Sequence, residues 1–196
     1  MSTITIDVSI TLSQAVKAMT ACFLSGVTPF LWSSPGIGKT SIVNRLPALL
    51  PDLFDNVITL DAAQLADGTV QGGVPVADRE AGVTRWLPPD YFVRLVSETT
   101  LIFLDDVSTL PMTAFAPLLR MVQFGAVGSY ALPKGVRFCC AGNRETENAG
   151  AQKLSSAWNN RVTHYEVKAS ADEVVSHALL SDWAMPVPMF LRMYPE

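Results

Sequence analysis

The sequence predicts an α/β protein whose parallel sheet is covered by helices on both faces, and three observations carry that expectation. The runs "PFLWS" at 29–33 and "LIFLDD" at 101–106 are apolar along their interiors, as strands buried on two sides must be. Stretches with helical spacing of apolar residues separate such runs, the alternation that builds parallel sheets. Between one run and one helix lies the glycine loop "SSPGIGKTS" at 33–41.

In chain order, "TITIDVSI" at 3–10 alternates Ile4, Ile6, Val8 and Ile10 with polar residues, the pattern of a half-buried strand. "TLSQAVKAMTACFLSG" at 11–26 reads as a helix, with Thr11 and Gln14 at capping-box spacing and Gly26 as its stop. "PFLWS" follows as a strand, the glycine loop turns the chain, and "KTSIVNRLPALL" at 39–50 continues as a helix. "NVITLDA" at 56–62 and "LIFLDD" are the next sheet strands. "PMTAFAPLLRMVQFG" at 111–125 sets Phe115, Leu118, Leu119 and Val122 on one helical stripe, with Pro117 as a point where a kink is expected. "VRFCCAGN" at 136–143 and "VTHYEV" at 162–167 supply the last two strands. Two stretches break the rhythm. "GGVPVADREAGVTRW" at 72–86 and "GAVGSYALPKGVRF" at 125–138 each read as strand, turn, strand, with "DREAG" and "PKG" as the turns. Trp86 with Pro88 and Pro89 is expected to fix the exit of the first of these.

Composition narrows the function classes. The 196 residues are 49% hydrophobic but only 16% charged, below the roughly 25% of an ordinary soluble domain. That shortfall points to surface buried against partner subunits, or to a chain simply rich in core. A net charge of -4 and a pI near 5.1 give no basic footprint for DNA or RNA. The N-terminus has no signal-peptide pattern, and no apolar run reaches membrane-spanning length, so the chain reads as cytoplasmic. Cys22, Cys139 and Cys140 have no disulfide or metal spacing, and the adjacent pair is expected to face opposite sides of a strand. His164 and His177 lack ligand partners in sequence and read as structural.

The chemistry gathers at four places. A triphosphate needs converging backbone N–H groups, a cation at its β and γ phosphates, and a hydroxyl on magnesium. The stretch Ser34, Pro35, Gly36, Ile37, Gly38, Lys39, Thr40 and Ser41 offers all three, with Lys39 as the cation and Thr40 as the hydroxyl. Ser33 replaces the first glycine of the usual pattern, a change the backbone tolerates if its φ is negative. "LIFLDD" delivers Asp105 to the end of an apolar strand, where a magnesium ligand is required, with Asp106 beside it to orient water. Asn143 ends the next strand, so its amide emerges at the same edge. Arg161 stands just before the last strand, where an arginine is either a surface charge or a finger reaching a neighbouring subunit's γ-phosphate.

The order of these four pieces resembles an AAA+ ATPase. "TRWLPPDYF" closing one hairpin, "GSYALP" ahead of "AGNRETENAG", and "LSSAWNNRVTHYEV" resemble the MoxR-like branch more narrowly. The likeness runs from about Leu12 to the end of the chain. It implies a three-layer α/β/α P-loop core over 1–168 with a five-stranded parallel sheet and two inserted hairpins. Residues 169–196, including "ADEVVSHALLSDW" and "PMFLRMYPE", would begin a helical lid that is incomplete. It implies ATP and Mg2+ as cofactors: residues 34–41 bind ATP, Thr40 and Asp105 the metal, and Asp106, Asn143 and Arg161 serve catalysis. A homo-oligomeric ring, a hexamer by that likeness, and a partner with a von Willebrand factor A domain are implied as well. Ser33 for glycine, Asp106 for glutamate and Thr69 for a frequent aspartate depart from the pattern. Aspartate is one methylene short, which would set a base roughly 1–1.5 Å back and slow hydrolysis. The leading expectation is thus an ATP hydrolase that remodels or assembles a partner protein; the alternative is a nucleotide-gated scaffold with little or no hydrolysis.

Overall fold

The computed structural model describes residues 9–61, 66, 73–144, 154–168, 170, 172–173 and 175. The expectations for residues 3–8, for Thr69, for "ETENAG" at 145–150, for His177 and for most of the lid segment lie outside the described residues.

Six strands form one parallel sheet: β1 (Ser9–Ile10), β2 (Thr28–Trp32), β3 (Asn56–Leu60), β6 (Thr100–Leu104), β9 (Arg137–Gly142) and β10 (Val162–Val167). Their spatial order is β1-β10-β2-β9-β6-β3. The expected count of five is therefore corrected to six. The extra strand is the two-residue β1, which covers the edge of β10 through Ser9 opposite Glu166 and Ile10 opposite Val167.

The interior strands β2 and β6 are buried at every position, which is why their sequences do not alternate. Successive side chains go to opposite faces and feed two separate cores. Leu31, Leu101, Phe103, Cys139 and Ala141 pack under α1 (Leu12–Leu24), α2 (Lys39–Asn44) and α3 (Leu46–Leu49). Phe30, Ile102, Leu104, Phe138 and Cys140 face Phe92 of α4 (Asp90–Arg94), α5 (Met112–Phe124) and Trp158 of α6 (Ser156–Asn159). Cys139 and Cys140 thus do face opposite sides, and burial raises both thiols far above their usual range.

Local signals set the helix ends. Thr11 and Gln14 close a reciprocal capping box on α1, and Gly26 leaves the helix at φ 69°. The single helix expected over 39–50 is two. Asn44 ends α2, and Pro47 sits in the first turn of α3, where its missing N–H costs nothing but inside a continuous helix would break the ladder. Pro117 does not interrupt α5.

The first inserted hairpin pairs β4 (Val74–Asp78) with β5 (Val83–Leu87), and Asp78 turns back to Arg85 at 2.7 Å. In the second, β7 (Ala126–Val127) pairs with β8 (Tyr130–Ala131) around Gly128, whose φ is 58°. "PKG" does turn, with the Val136 N–H donating to the Pro133 carbonyl at 3.2 Å, but it leads into β9, since the left-handed Gly128 closes the hairpin earlier.

Candidate functional site

In a parallel sheet all strands end at one edge, so the loops after β2, β6 and β9 come together there. Ser33 follows β2, Asp105 follows β6 and Asn143 follows β9. Residues 35–41 with Asp105, Asp106 and Asn143 line a cavity of about 330 Å³ at this edge. Gly36 and Gly38 adopt φ of 82° and 101°, conformations that a side chain would strain, and the second delivers the chain into α2 at Lys39. Ser33 keeps an ordinary negative-φ backbone, since Asp106 is the only non-glycine with positive φ among the described residues.

Lys39 is buried, with only 7% of its surface exposed. Its ammonium donates to Ser33 Oγ at 2.7 Å, to Asn143 Oδ1 at 2.9 Å and to the Ser33 carbonyl at 3.2 Å. Asn143 Nδ2 in turn donates to Asp106 Oδ1 at 3.0 Å. This chain fixes the amide's orientation, because an ammonium has no acceptor and a carboxylate no donor. The Asn143 backbone N–H donates to Ser108 Oγ at 2.9 Å, so a fully buried serine holds the end of β9 in place.

Thr40 Oγ1 donates to Asp105 Oδ2 at 2.6 Å. A hydroxyl and a carboxylate oxygen meeting at one point are hard donors of the kind magnesium takes. No group of three or more His, Cys, Asp or Glu side chains gathers among the described residues. An ion here would therefore draw its remaining ligands from phosphate oxygens and water, as magnesium commonly does. Asp105 Oδ1 also accepts from the Asp106 N–H at 3.0 Å, and Asp106 sits at φ 54°, ψ 33°. Aspartate is among the few residues that tolerate this left-handed region.

Arg161 is not brought to this cavity. Its neighbour Val162 pairs with Thr28, the first residue of β2, so Arg161 lies at the opposite edge of the sheet. The length of β2, roughly 16 Å at about 3.3 Å per residue, separates it from the glycine loop. There it is exposed, donating to Gln123 Oε1 at 2.8 Å and to the Ala157 carbonyl at 2.9 Å.

Three features were missed in the sequence: the Ser33 hydroxyl as a lysine acceptor, Ser108, and Arg144. The Arg144 guanidinium lies 4.5 Å from the Trp32 ring centre and donates to Glu166 Oε2 at 2.9 and 2.5 Å. A charge next to Asn143 was the available signal, but its partners come from two other strands. His164 accepts from Trp32 Nε1 at 2.8 Å; burial first, and the Arg144 charge second, lower its pKa.

No family model and no curated protein match the chain. Solved structures do. A protein described as a "putative ATPase" from Cytophaga hutchinsonii aligns over 83% of the chain and 48% of its own length, at TM-score 0.57 and 19% identity. RuvB, the Holliday junction branch migration motor of Thermotoga maritima, aligns over 87% of the chain and 50% of its own, at TM-score 0.55 and 15% identity. The chain thus has the fold these structures share over that region, and it spans about half of their length.

Proposed function

We propose that the chain is a Mg-ATP-dependent hydrolase, similar to the MoxR-like branch of the AAA+ ATPases, that works as a homo-oligomeric ring and remodels or assembles a partner protein. One observation carries the reading. Lys39, Thr40, Asp105, Asp106 and Asn143 converge on one cavity from three strand ends, already joined by hydrogen bonds.

The amides of the glycine loop and the Lys39 ammonium bind the phosphates, and Thr40 with Asp105 would hold a magnesium ion, whose positive charge would offset that of the phosphates. Asp106 accepts a proton from, and orients, the attacking water. Asn143 ties Asp106 to the γ-phosphate end of the site. Arg161 acts on the neighbouring subunit's nucleotide, which its place at the far sheet edge supports. The hexameric ring and the partner with a von Willebrand factor A domain rest on the resemblance. Among the described residues no helix is long and apolar enough to cross a membrane. The nucleic-acid role of the RuvB neighbour is not carried over, because a net charge of -4 offers no phosphate-backbone footprint.

Steady-state ATP hydrolysis measured against protein concentration tests this. Specific activity should rise with concentration, because each site needs a neighbour. Zero turnover at every concentration with retained ATP binding would favour the second reading, a nucleotide-gated scaffold. The observation on that side is that Asp106, the group meant for water, is held by Asn143.

A further inference from the structure

Ser33 stands where the phosphate-binding pattern has glycine, and it is 1% exposed. Its hydroxyl donates to the Ser34 carbonyl at 3.0 Å, which directs the hydroxyl hydrogen away from Lys39. A lone pair is left for the ammonium, and the 2.7 Å contact from Lys39 Nζ is the shortest that Lys39 makes among its hydrogen bonds to Ser33, Ser34 and Asn143. The Ser33 carbonyl accepts from the same nitrogen at 3.2 Å, so one residue grips it twice. Glycine would offer the carbonyl alone.

Where the ammonium points matters as much as what it touches. Drawn between Ser33 at the end of β2 and Asn143 at the end of β9, and almost wholly buried, it is already engaged by the loop and the neighbouring strand end at the wall of the cavity. An ammonium has three protons to give. Two phosphate oxygens need two of them, so Ser33 and the phosphates draw on the same small supply. A charge-assisted hydrogen bond in a buried setting is strong enough for this competition to show in affinity.

We propose that Ser33 is a positioning residue that parks the Lys39 ammonium at the base of the empty loop, so that nucleotide must displace the serine hydroxyl to engage the lysine. This rests on reading the loop as a triphosphate site. Fewer empty proteins present a free ammonium, and the apparent affinity for ATP falls by that fraction. The serine therefore tunes nucleotide affinity downward relative to a glycine or alanine loop, and it acts only through Lys39.

Calorimetric titration of the full 196-residue chain with ATP and magnesium tests this. Ser33→Ala and Ser33→Gly should each tighten binding about three- to tenfold, the loss of one charge-assisted competitor. In a Lys39→Met background the same changes at Ser33 should leave the residual affinity unmoved, which a general effect on loop packing would not do. A matching thermal-unfolding cycle on nucleotide-free protein should show coupling between Ser33→Ala and Lys39→Met, and it reports on the contact whether or not ATP binds. Unchanged or weaker ATP binding by both folded Ser33 variants overturns the proposal, as does tightening that persists without Lys39. Wild-type protein that binds no ATP removes the reading of the loop and this proposal together. Wild type that binds, beside variants that bind no tighter, removes the proposal alone.

Discussion

At the C-terminal edge of the sheet, Lys39, Ser33, Asn143 and Asp106 satisfy one another, three of the four almost fully buried, and Thr40 is bonded to Asp105 beside them. At the N-terminal edge Arg161 is exposed, and its guanidinium is spent on Gln123 and on the Ala157 carbonyl of the preceding helix. A second cavity of about 310 Å³ opens here between Gly26, Gln123 and Arg137, with Phe124 67% exposed at its wall. The first edge holds its groups in place with partners from the same chain. The second offers a cation and apolar surface held by weak, solvent-accessible contacts, the state expected of groups that a neighbouring chain engages. Buried hydrogen bonds keep geometry; exposed ones are exchanged at little cost.

Breaking the second edge should give the largest effect. Arg161→Ala should leave ATP binding intact and lower hydrolysis about 10³-fold or more, the usual weight of an arginine supplied in trans. Mixing this variant with Lys39→Ala protein sharpens the comparison. A mixed ring places an intact Arg161 beside an intact glycine loop, and some activity should return. No rescue in rings shown to co-assemble would put Arg161 outside catalysis, since the sheet already separates it from its own loop.

Breaking the first edge should instead damage binding within each chain. Lys39→Ala should weaken ATP binding roughly ten- to a hundredfold, from the loss of charge-assisted bonds worth about 1.5–3 kcal/mol. Mixing with any other variant should not restore that binding. Titration calorimetry reads it directly, and an unchanged dissociation constant would reduce the glycine loop to a turn.

How legible these two edges were in the sequence differs for a physical reason. Lys39, Thr40 and Asp105 follow from motif spacing and strand ends, because a parallel sheet brings strand ends together whatever the details. Asn143 was found in the same way. The layers, both hairpins and the capping box of Thr11 with Gln14 were legible from periodicity and cap residues. What was not legible depended on pairing across the chain or on a single dihedral. The strand ending at Ile10 was read from its alternation, but its place in the sheet needed the register of Ser9 with Glu166, and the grip of Ser33 on Lys39 needed its side-chain direction. Arg144 needed Trp32 and Glu166 to be neighbours. The break before Pro47 was written in the sequence as a proline, but the helical pattern around it concealed the boundary.

Asp106 is where the sequence expectation and the structure pull apart. The shortened side chain suggested a base set too far back, which glutamate would repair. In the structure its backbone is left-handed and its carboxylate meets Asn143, two features that suit aspartate. Asp106→Glu should therefore lower turnover, on the order of tenfold, while Mg-ATP binding holds; an ångström of misplacement is enough for that. A faster glutamate variant would show that side-chain reach, not this geometry, limits the chemistry.

The smallest effect belongs to a contact beside the site. Glu173 accepts from the Leu12 N–H at 3.0 Å, the Ser13 N–H at 3.1 Å and the Ser13 hydroxyl, so its carboxylate caps the start of α1. Leu12 lies next to Gly38, whose added Cβ would stand 3.7 Å from Leu12 Cδ1, so the cap steadies the floor of the glycine loop. Burial alone would raise this carboxyl's pKa, but the hydrogen bonds from Ser13, Thr11 and Leu12 outweigh it and hold it below the usual range. A depressed folded pKa contributes stability that is complete above the unfolded value, near 4.3, and is lost as pH falls through the folded one. At neutral pH Glu173→Gln should cost about 0.5–1 kcal/mol, the low end for a cap because solvent reaches the group. The difference between wild type and variant in urea unfolding should then shrink as pH drops from 5 to 3, since protonated glutamate resembles glutamine. A difference that stays constant across that range would mean the carboxylate's charge contributes nothing, and that Glu173 caps α1 by shape alone.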